Sequence, residues 1–206
     1  MIGVYGGTFN PVHFGHLRTA VEVQERFGLR QLHMIPCRLP AHRERPEVDG
    51  ERRYAMLQLA LAGLPGVIAD RRELDRPGPS YMVDTLQSLR DDYPHVGLLL
   101  FIGTDAFAGL PTWHCWQRLF ELAHVVVVTR PGYRPPRLAD FLAEKLTRHD
   151  NDLVETPQGC LHFQTVTALD ISATAIRNLI AGNHNPQFLL PDSVIAYIRR
   201  HNLYLA

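Results

Sequence analysis

The chain opens on an apolar run, Ile2 to Tyr5, followed by an amphipathic stretch from Phe14 to Phe27 whose helical spacing turns Leu17, Val21 and Val23 inward. Gln31 to Ile35 then reads as a second strand, so strand, helix and strand predict a parallel βαβ unit. The pattern recurs, with Arg53 to Leu61 helical, Val67 to Ala69 a short strand, Met82 to Asp92 helical and Val96 to Ile102 a nearly continuous apolar strand. A strand without polar alternation belongs in a sheet covered on both faces. Trp113 to Leu122 predicts a further helix, His124 to Thr129 a central strand built on four consecutive valines, Arg137 to Lys145 a helix, and Leu161 to Val166 the last strand. Ser172 to Ala181 begins with a cap residue and ends at Gly182, and Pro191 to His201 supplies a terminal helix.

These elements predict an α/β fold: a Rossmann-like doubly wound parallel sheet flanked by helices, in one domain over residues 1–206 with a short C-terminal helical segment over 172–206. No internal repeat or low-complexity linker interrupts them. Pro36 to Gly50, Arg130 to Pro136 and His149 to Gly159 are expected to be long loops. Sheets of this kind take ligands beyond the carboxyl ends of their strands, where the strand order reverses. The expected strands end at Gly6-Gly7, Pro36 to Arg43, Gly103-Thr104-Asp105 and Thr129-Arg130-Pro131-Gly132, all polar or glycine-bearing.

Composition narrows the class of partner. The 206 residues suffice to bury a sizeable core, and 46% hydrophobic with 20% charged content is ordinary for a globular chain. Twenty-one basic residues balance 21 acidic ones, which leaves no electrostatic footprint for a nucleic-acid polymer or an anionic membrane. The start carries no signal-peptide pattern and no window reads as a membrane span, so a cytoplasmic location is expected. Cys37, Cys115 and Cys160 are odd in number and far apart, which supports neither a disulfide framework nor a thiolate zinc site.

Two constellations carry candidate chemistry. Gly6-Gly7-Thr8-Phe9-Asn10-Pro11-Val12-His13-Phe14-Gly15-His16 places a glycine turn and two histidines where the first strand hands over to a helix. Glycines let a polyphosphate approach the backbone, and a helix starting near Phe14 aims unpaired N–H groups at the same place. His13 and His16, three apart, would share the opening edge of that helix as donors to a phosphoryl oxygen; the alternatives are a capping role or, without a convincing third ligand, a weakly supported metal site. Near the other end, Ile171-Ser172-Ala173-Thr174-Ala175-Ile176-Arg177 combines an N-cap, a hydroxyl and a guanidinium at one helix end, and by itself is equally a well-capped helix with a surface arginine.

Together these segments resemble the nucleotidylyltransferase superfamily, with its His-x-Gly-His and Ser-x-Thr-x-x-Arg signatures, and within it the bacterial nicotinate mononucleotide adenylyltransferases. The resemblance runs on through Pro40-Ala41-His42-Arg43, Arg53-Tyr54-Ala55-Met56-Leu57, Pro79 to Leu86, Ile102 to Asp105, Pro111-Thr112-Trp113 and Arg130 to Tyr133, in family order. It implies ATP and nicotinate mononucleotide as partners and Mg²⁺ carried in with ATP, with no metal held by the chain itself. It further implies His13 and His16 as the catalytic pair, and Gly6, Gly7, Phe9, Gly103, Asp105, Ser172, Thr174 and Arg177 around ATP. Thr8, Asn10, Arg43, Tyr81, Thr85, Trp113, His114 and Arg130 would surround the mononucleotide.

Several residues keep a structural alternative. Trp113 is equally a core or lid tryptophan, Asp105 a helix N-cap, and Arg43 and Arg130 solvated surface residues, while Trp116 is the better candidate for plain packing. Lysine is nearly absent from the loop around Arg43, so Arg43 would have to serve as its phosphate donor. Other activities stay open as well: a transferase for phosphopantetheine or nicotinamide mononucleotide, or a nucleotide-sensing module without turnover. A dinucleotide-dependent dehydrogenase fits less well, because Gly6-Gly7 lacks the Gly-x-Gly-x-x-Gly spacing and no acid ends the second strand.

Overall fold

In the computed structural model, which describes residues 1–40 and 46–205, six strands form one parallel sheet. They are β1 (Ile2–Gly7), β2 (Gln31–Pro36), β3 (Val67–Ala69), β4 (Leu98–Gly103), β5 (His124–Thr129) and β6 (Leu161–Thr165), in the order β3-β2-β1-β4-β5-β6. The order reverses between β1 and β4, and the strand after each crossover is parallel to its neighbour throughout. That is the doubly wound arrangement, with its ligand crevice expected above β1 and β4.

The connecting helices are α1 (Phe14–Arg26), α2 (Gly50–Leu61), α3 (Arg72–Asp75), α4 (Met82–Asp92), α5 (Thr104–Ala108), α6 (Leu119–Leu122), α7 (Asp140–Lys145), α8 (Asp152–Glu155), α9 (Ala173–Ala181) and α10 (Asp192–Arg200). The strands distribute side chains to two cores by their two-residue period. On β4, Leu99 and Phe101 face a core built from α1, α2, α9 and α10, whereas Leu98, Leu100 and Ile102 face one built from α4, α5 and α6. Among the described residues no helix is long and apolar enough to cross a membrane.

Several sequence-based boundaries are corrected. The helix expected from Trp113 to Leu122 is broken: Trp113 stands between two 3-10 turns, Leu110–Thr112 and Trp116–Arg118, and only α6 is α-helical. Cys115 adopts a left-handed conformation, φ 49°, which a continuous α-helix cannot contain. Residues 53–61 belong to a longer helix that starts at Gly50, because the Asp49 side chain accepts the Arg52 amide and caps it. α8 interrupts the loop expected from His149 to Gly159. Val21 is only partly buried; the inward face of α1 is Leu17, Thr19, Ala20 and Val23. The last strand starts at Leu161 as expected and closes at Thr165.

The C-terminal segment is part of the core. Val194, Ile195, Ile198, Leu203 and Tyr204 are buried against α2 and the start of α1, and Ser193 Oγ donates to the Leu59 carbonyl at 3.3 Å. Its last buried residue reaches the beginning of the chain, where the Tyr204 hydroxyl donates to Asn10 Oδ1 at 2.6 Å.

Candidate active site

The site begins at the carboxyl end of β1. His13 is extended, φ −149° and ψ 170°, and is the N-cap of α1; its amide donates to His16 Nδ1 at 3.3 Å. The two rings stack with centroids 3.8 Å apart. Gly15 leaves room for the pair, since a Cβ there would lie 3.0 Å from His13 Nδ1 and Cε1, tighter than nine in ten real Cβ contacts. Phe9 supports the pair from below, fully buried with its ring edge-on to His16 at 5.1 Å. It holds φ 46°, a left-handed conformation that costs about 1–2 kcal/mol for a residue with a Cβ.

Burial depresses both imidazoles, His13 to about 4 and His16 to about 3, with the charge of His13 adding to the effect on His16. Both are therefore neutral at pH 7. Because His16 Nδ1 is occupied as an acceptor, its proton sits on Nε2 and His16 presents an N–H donor. His13 Nδ1 is buried and has no partner among the described residues.

The distal constellation arrives at the same place. Ser172 Oγ accepts the Ala175 amide at 3.1 Å and caps α9, whose entry is so near α1 that a Cβ on Gly15 would lie 3.6 Å from the Ile171 carbonyl. Arg177 Nη2 donates to Thr174 Oγ1 at 3.3 Å while Nη1 donates to the Asn10 carbonyl at 2.9 Å. Two helix N-termini and a guanidinium thus converge beside the histidine pair, a concentration of donors suited to a polyphosphate.

On the other side of the glycine turn a cleft of about 350 Å³ opens between β1 and β4, at the point where the strand order reverses. It brings together Gly6, Gly7 and Thr8 from the turn, Tyr81 from the entry to α4, Gly103 from the end of β4, Asp105 from the start of α5, and Trp113 with His114. A Cβ on Gly6 would lie 2.5 Å from the Met82 methyl, so the end of that flexible side chain would have to swing away. Asp105 is not the N-cap of α5; that position is Gly103, and Asp105 is an exposed first-turn residue on the cleft wall. Trp113 is half-buried against the core behind the cleft, and Trp116 packs edge-on to Phe141 at 5.1 Å.

The remaining expected residues fall elsewhere. Thr85 is fully buried and lies behind the wall, its hydroxyl donating to Glu73 at 2.7 Å. Asn10 is buried, its side chain taken by Tyr204 and its carbonyl by Arg177. Arg130 is exposed, 3.8 Å from Asp170. Arg43 lies outside the described residues.

Sequence reasoning passed over four residues that shape the site. Tyr5, between the apolar run and the glycines, lines the cleft, and burial pushes its hydroxyl up to about 12, so it stays a neutral phenol. Cys37 and Glu73 line it too. Arg53 is 1% exposed and donates to the carbonyls of Val48, Thr8 and Cys37 at 3.0, 2.7 and 2.6 Å, tying the loops after β1 and β2 together. In the sequence Arg53 stands within one of the segments that carry the resemblance and on a helix with apolar neighbours, but neither feature assigns it this bracing role.

A doubly wound sheet whose first turn supplies paired imidazoles, joined by a serine-capped helix carrying an arginine, is the construction of a nucleotidyltransferase. The chain belongs to the cytidylyltransferase-like family, whose model matches residues 4–179. It is 47% identical over 208 residues to a protein of Methylococcus capsulatus named "probable nicotinate-nucleotide adenylyltransferase", covering 99% of each chain. A protein of the same name from Hahella chejuensis is also 47% identical, over 98% of this chain and 95% of its own. In fold the chain is similar to the Plasmodium falciparum nicotinic acid mononucleotide adenylyltransferase complexed with NaAD, with a TM-score of 0.76 over 98% of this chain and 96% of that one at 14% identity.

Proposed function

We propose that the chain is a nicotinate-nucleotide adenylyltransferase: the phosphate of nicotinate mononucleotide attacks the α-phosphorus of ATP, the bond to the β-phosphate oxygen breaks, and nicotinate adenine dinucleotide and pyrophosphate leave. The observation that carries this reading is the Arg177 bond to the Asn10 carbonyl, which joins the two phosphate-binding segments into one donor surface beside His13 and His16. The names borne by relatives at 47% identity over the whole chain support the acceptor.

A phosphate is already an anionic nucleophile at neutral pH, so the protein supplies in-line positioning and stabilisation of charge on the transferring group. Neutral imidazoles suit that role: His16 offers its Nε2 proton to an α-phosphate oxygen, with His13 stacked beside it. Ser172, Thr174 and Arg177 hold the departing β- and γ-phosphates, Gly6 and Gly7 let the chain pass close to the backbone, and Phe9 sets the height of His16 from below. Gly103 and Asp105 receive the adenosine. Thr8, Tyr81, Trp113 and the His114 backbone surround the pyridine ring, with Thr85 and Asn10 acting behind them, and Arg43 and Arg130 take the acceptor phosphate.

Among the described residues no three His, Cys, Asp or Glu side chains form a ligand cluster. The donors at the phosphate end are imidazoles, hydroxyls and a guanidinium, which fits an Mg²⁺ ion carried in with ATP, and the Ser172 and Thr174 hydroxyls would be the residues to hold it. Bound there, it would neutralise phosphate charge.

The decisive experiment follows pyrophosphate release from ATP with nicotinate mononucleotide, nicotinamide mononucleotide and phosphopantetheine as acceptors. Turnover with the first above the other two is expected; release with another acceptor alone overturns the assignment, and ATP binding with no turnover on any acceptor identifies a sensor.

A further inference from the structure

The cleft contains an acid that this reaction leaves unused. Glu73, in α3, is 3% exposed yet forms part of the wall beside Ser80, Tyr81 and Met82. Its carboxylate accepts the Thr85 hydroxyl at 2.7 Å, with Ser80 beside it on the cleft wall. Arg76 stands one group further away, its Nη2 donating to Thr85 Oγ1 at 3.0 Å, and no cation lies within ion-pair distance of Glu73 among the described residues. A buried carboxylate without a direct ion pair is only partly offset by Arg76, and the rest of its charge is felt by whatever enters a low-dielectric cleft.

The proposed acceptor brings the complementary charge. A pyridine ring bonded to ribose through its nitrogen is a pyridinium cation, and the aromatic walls of Tyr81 and Trp113 favour a cationic ring in the same cleft. We propose that Glu73 is the counter-charge for this ring, a specificity-determining residue that selects a cationic ring over a neutral one of the same shape. The inference rests on the acceptor assigned above.

The groups facing Glu73 hold their charge states while burial raises its carboxyl above the ordinary glutamate range. Asp70, at the end of β3, is held at about 2 and stays ionised; the Cys37 thiol at the end of β2 and the Tyr5 phenol on β1 are pushed up by burial and stay protonated. Thr85 of α4 and Ser80 contribute hydroxyls, and Arg76 a positive charge. Burial raises the Glu73 carboxyl itself, partly countered by Thr85, Ser80 and Arg76, so acid removes its charge sooner than from an ordinary glutamate.

Calorimetry of the wild type and Glu73→Gln tests the proposal, with nicotinate mononucleotide and its neutral-ring isostere, the monophosphate of a riboside carrying a carbon-linked benzoate. The wild type should prefer the cationic ring by about tenfold or more, and the preference should shrink as pH is lowered towards the ordinary glutamate value of 4.5. Both ligands carry the same phosphate and carboxylate, whose titration cancels in the ratio. Glutamine keeps an acceptor for Thr85, so E73Q should bring the ratio close to one while leaving the KM for ATP unchanged. An E73Q ratio equal to the wild type's, or a wild-type ratio flat with pH, overturns the proposal; the pH series decides alone if E73Q fails to fold. Wild type that binds neither ligand and releases no pyrophosphate overturns the acceptor assignment instead.

Discussion

Arg177 Nη1 donates to the carbonyl oxygen of Asn10 at 2.9 Å, across 167 positions of sequence. The bond places a guanidinium of α9 against the turn that also carries His13 and His16, so one side chain both fastens the C-terminal segment and completes the phosphate surface. Arg177→Ala is expected to raise the KM for ATP by tens of fold, in line with the ~1.5–3 kcal/mol of a charged hydrogen bond, with a smaller change in the KM for the mononucleotide. Steady-state kinetics with each substrate varied checks it. Unchanged ATP kinetics would return Arg177 to a purely structural role.

His16→Ala should leave the fold intact and lower kcat by about a hundredfold or more, the cost of losing one preorganised donor to a developing oxyanion. His16→Asn keeps a donor at similar reach and should retain part of the rate. Pyrophosphate release by purified variants of matched thermal midpoint is the measurement; near-wild-type turnover of His16→Ala removes the residue from the catalytic role.

Gly15→Ala separates rate from stability. The added methyl would sit 3.0 Å from the His13 ring and push it off its stack with His16, so kcat should fall about tenfold or more. Alanine is better than glycine in a helix by up to about 1 kcal/mol, so the melting temperature should change by only a few degrees. A variant that keeps full activity would show that the stacking geometry is not needed.

The depressed imidazoles make stability pH-dependent. Unfolded, both histidines take up a proton near pH 6.5; folded, they do so only near 4 and 3. Between these values the unfolded chain binds more protons, so their contribution to stability is complete above about pH 6.5 and is lost progressively as pH falls towards 3. Denaturant midpoints from pH 7.5 to 5 should decline, and the double substitution His13→Asn with His16→Asn should flatten the slope. Saturating ATP should also flatten it, since bound phosphate favours the charged imidazoles.

Arg53 predicts the opposite separation. Its guanidinium satisfies three carbonyls from buried surroundings, and Arg53→Met would leave them unpartnered at a cost of about 3 kcal/mol or more. Chemical denaturation should show the loss even where ligand contacts are intact. A midpoint equal to the wild type's would mean that water replaces the arginine freely.

Much of this protein was legible locally. The strands β1, β2 and β5 follow from short apolar runs, α1 and α9 from their spacing and from the Ser172 cap, because periodicity and capping act over a few residues. The break at Cys115 was not legible: nothing in the residues from Trp113 to Leu122 announces a left-handed conformation, which is imposed by the need to bring Trp113 to the cleft while Leu119 and Phe120 stay buried. Nor was the retreat of Thr85 behind Glu73, since the helical position of a threonine fixes its face but not what a neighbouring helix lays over it.

The sequence alone determined a parallel α/β chain with a glycine turn, two histidines at the head of the first helix and a serine-capped helix bearing an arginine, all properties of segments shorter than about a dozen residues. Only the tertiary structure decided that Arg177 closes on Asn10, that Tyr204 takes the Asn10 side chain, that Arg53 binds the loops after β1 and β2, and that Glu73 faces the cleft. Hydrogen bonds between residues 167 or 194 positions apart depend on how two cores pack on one sheet, and no local pattern of polar and apolar residues encodes that distance.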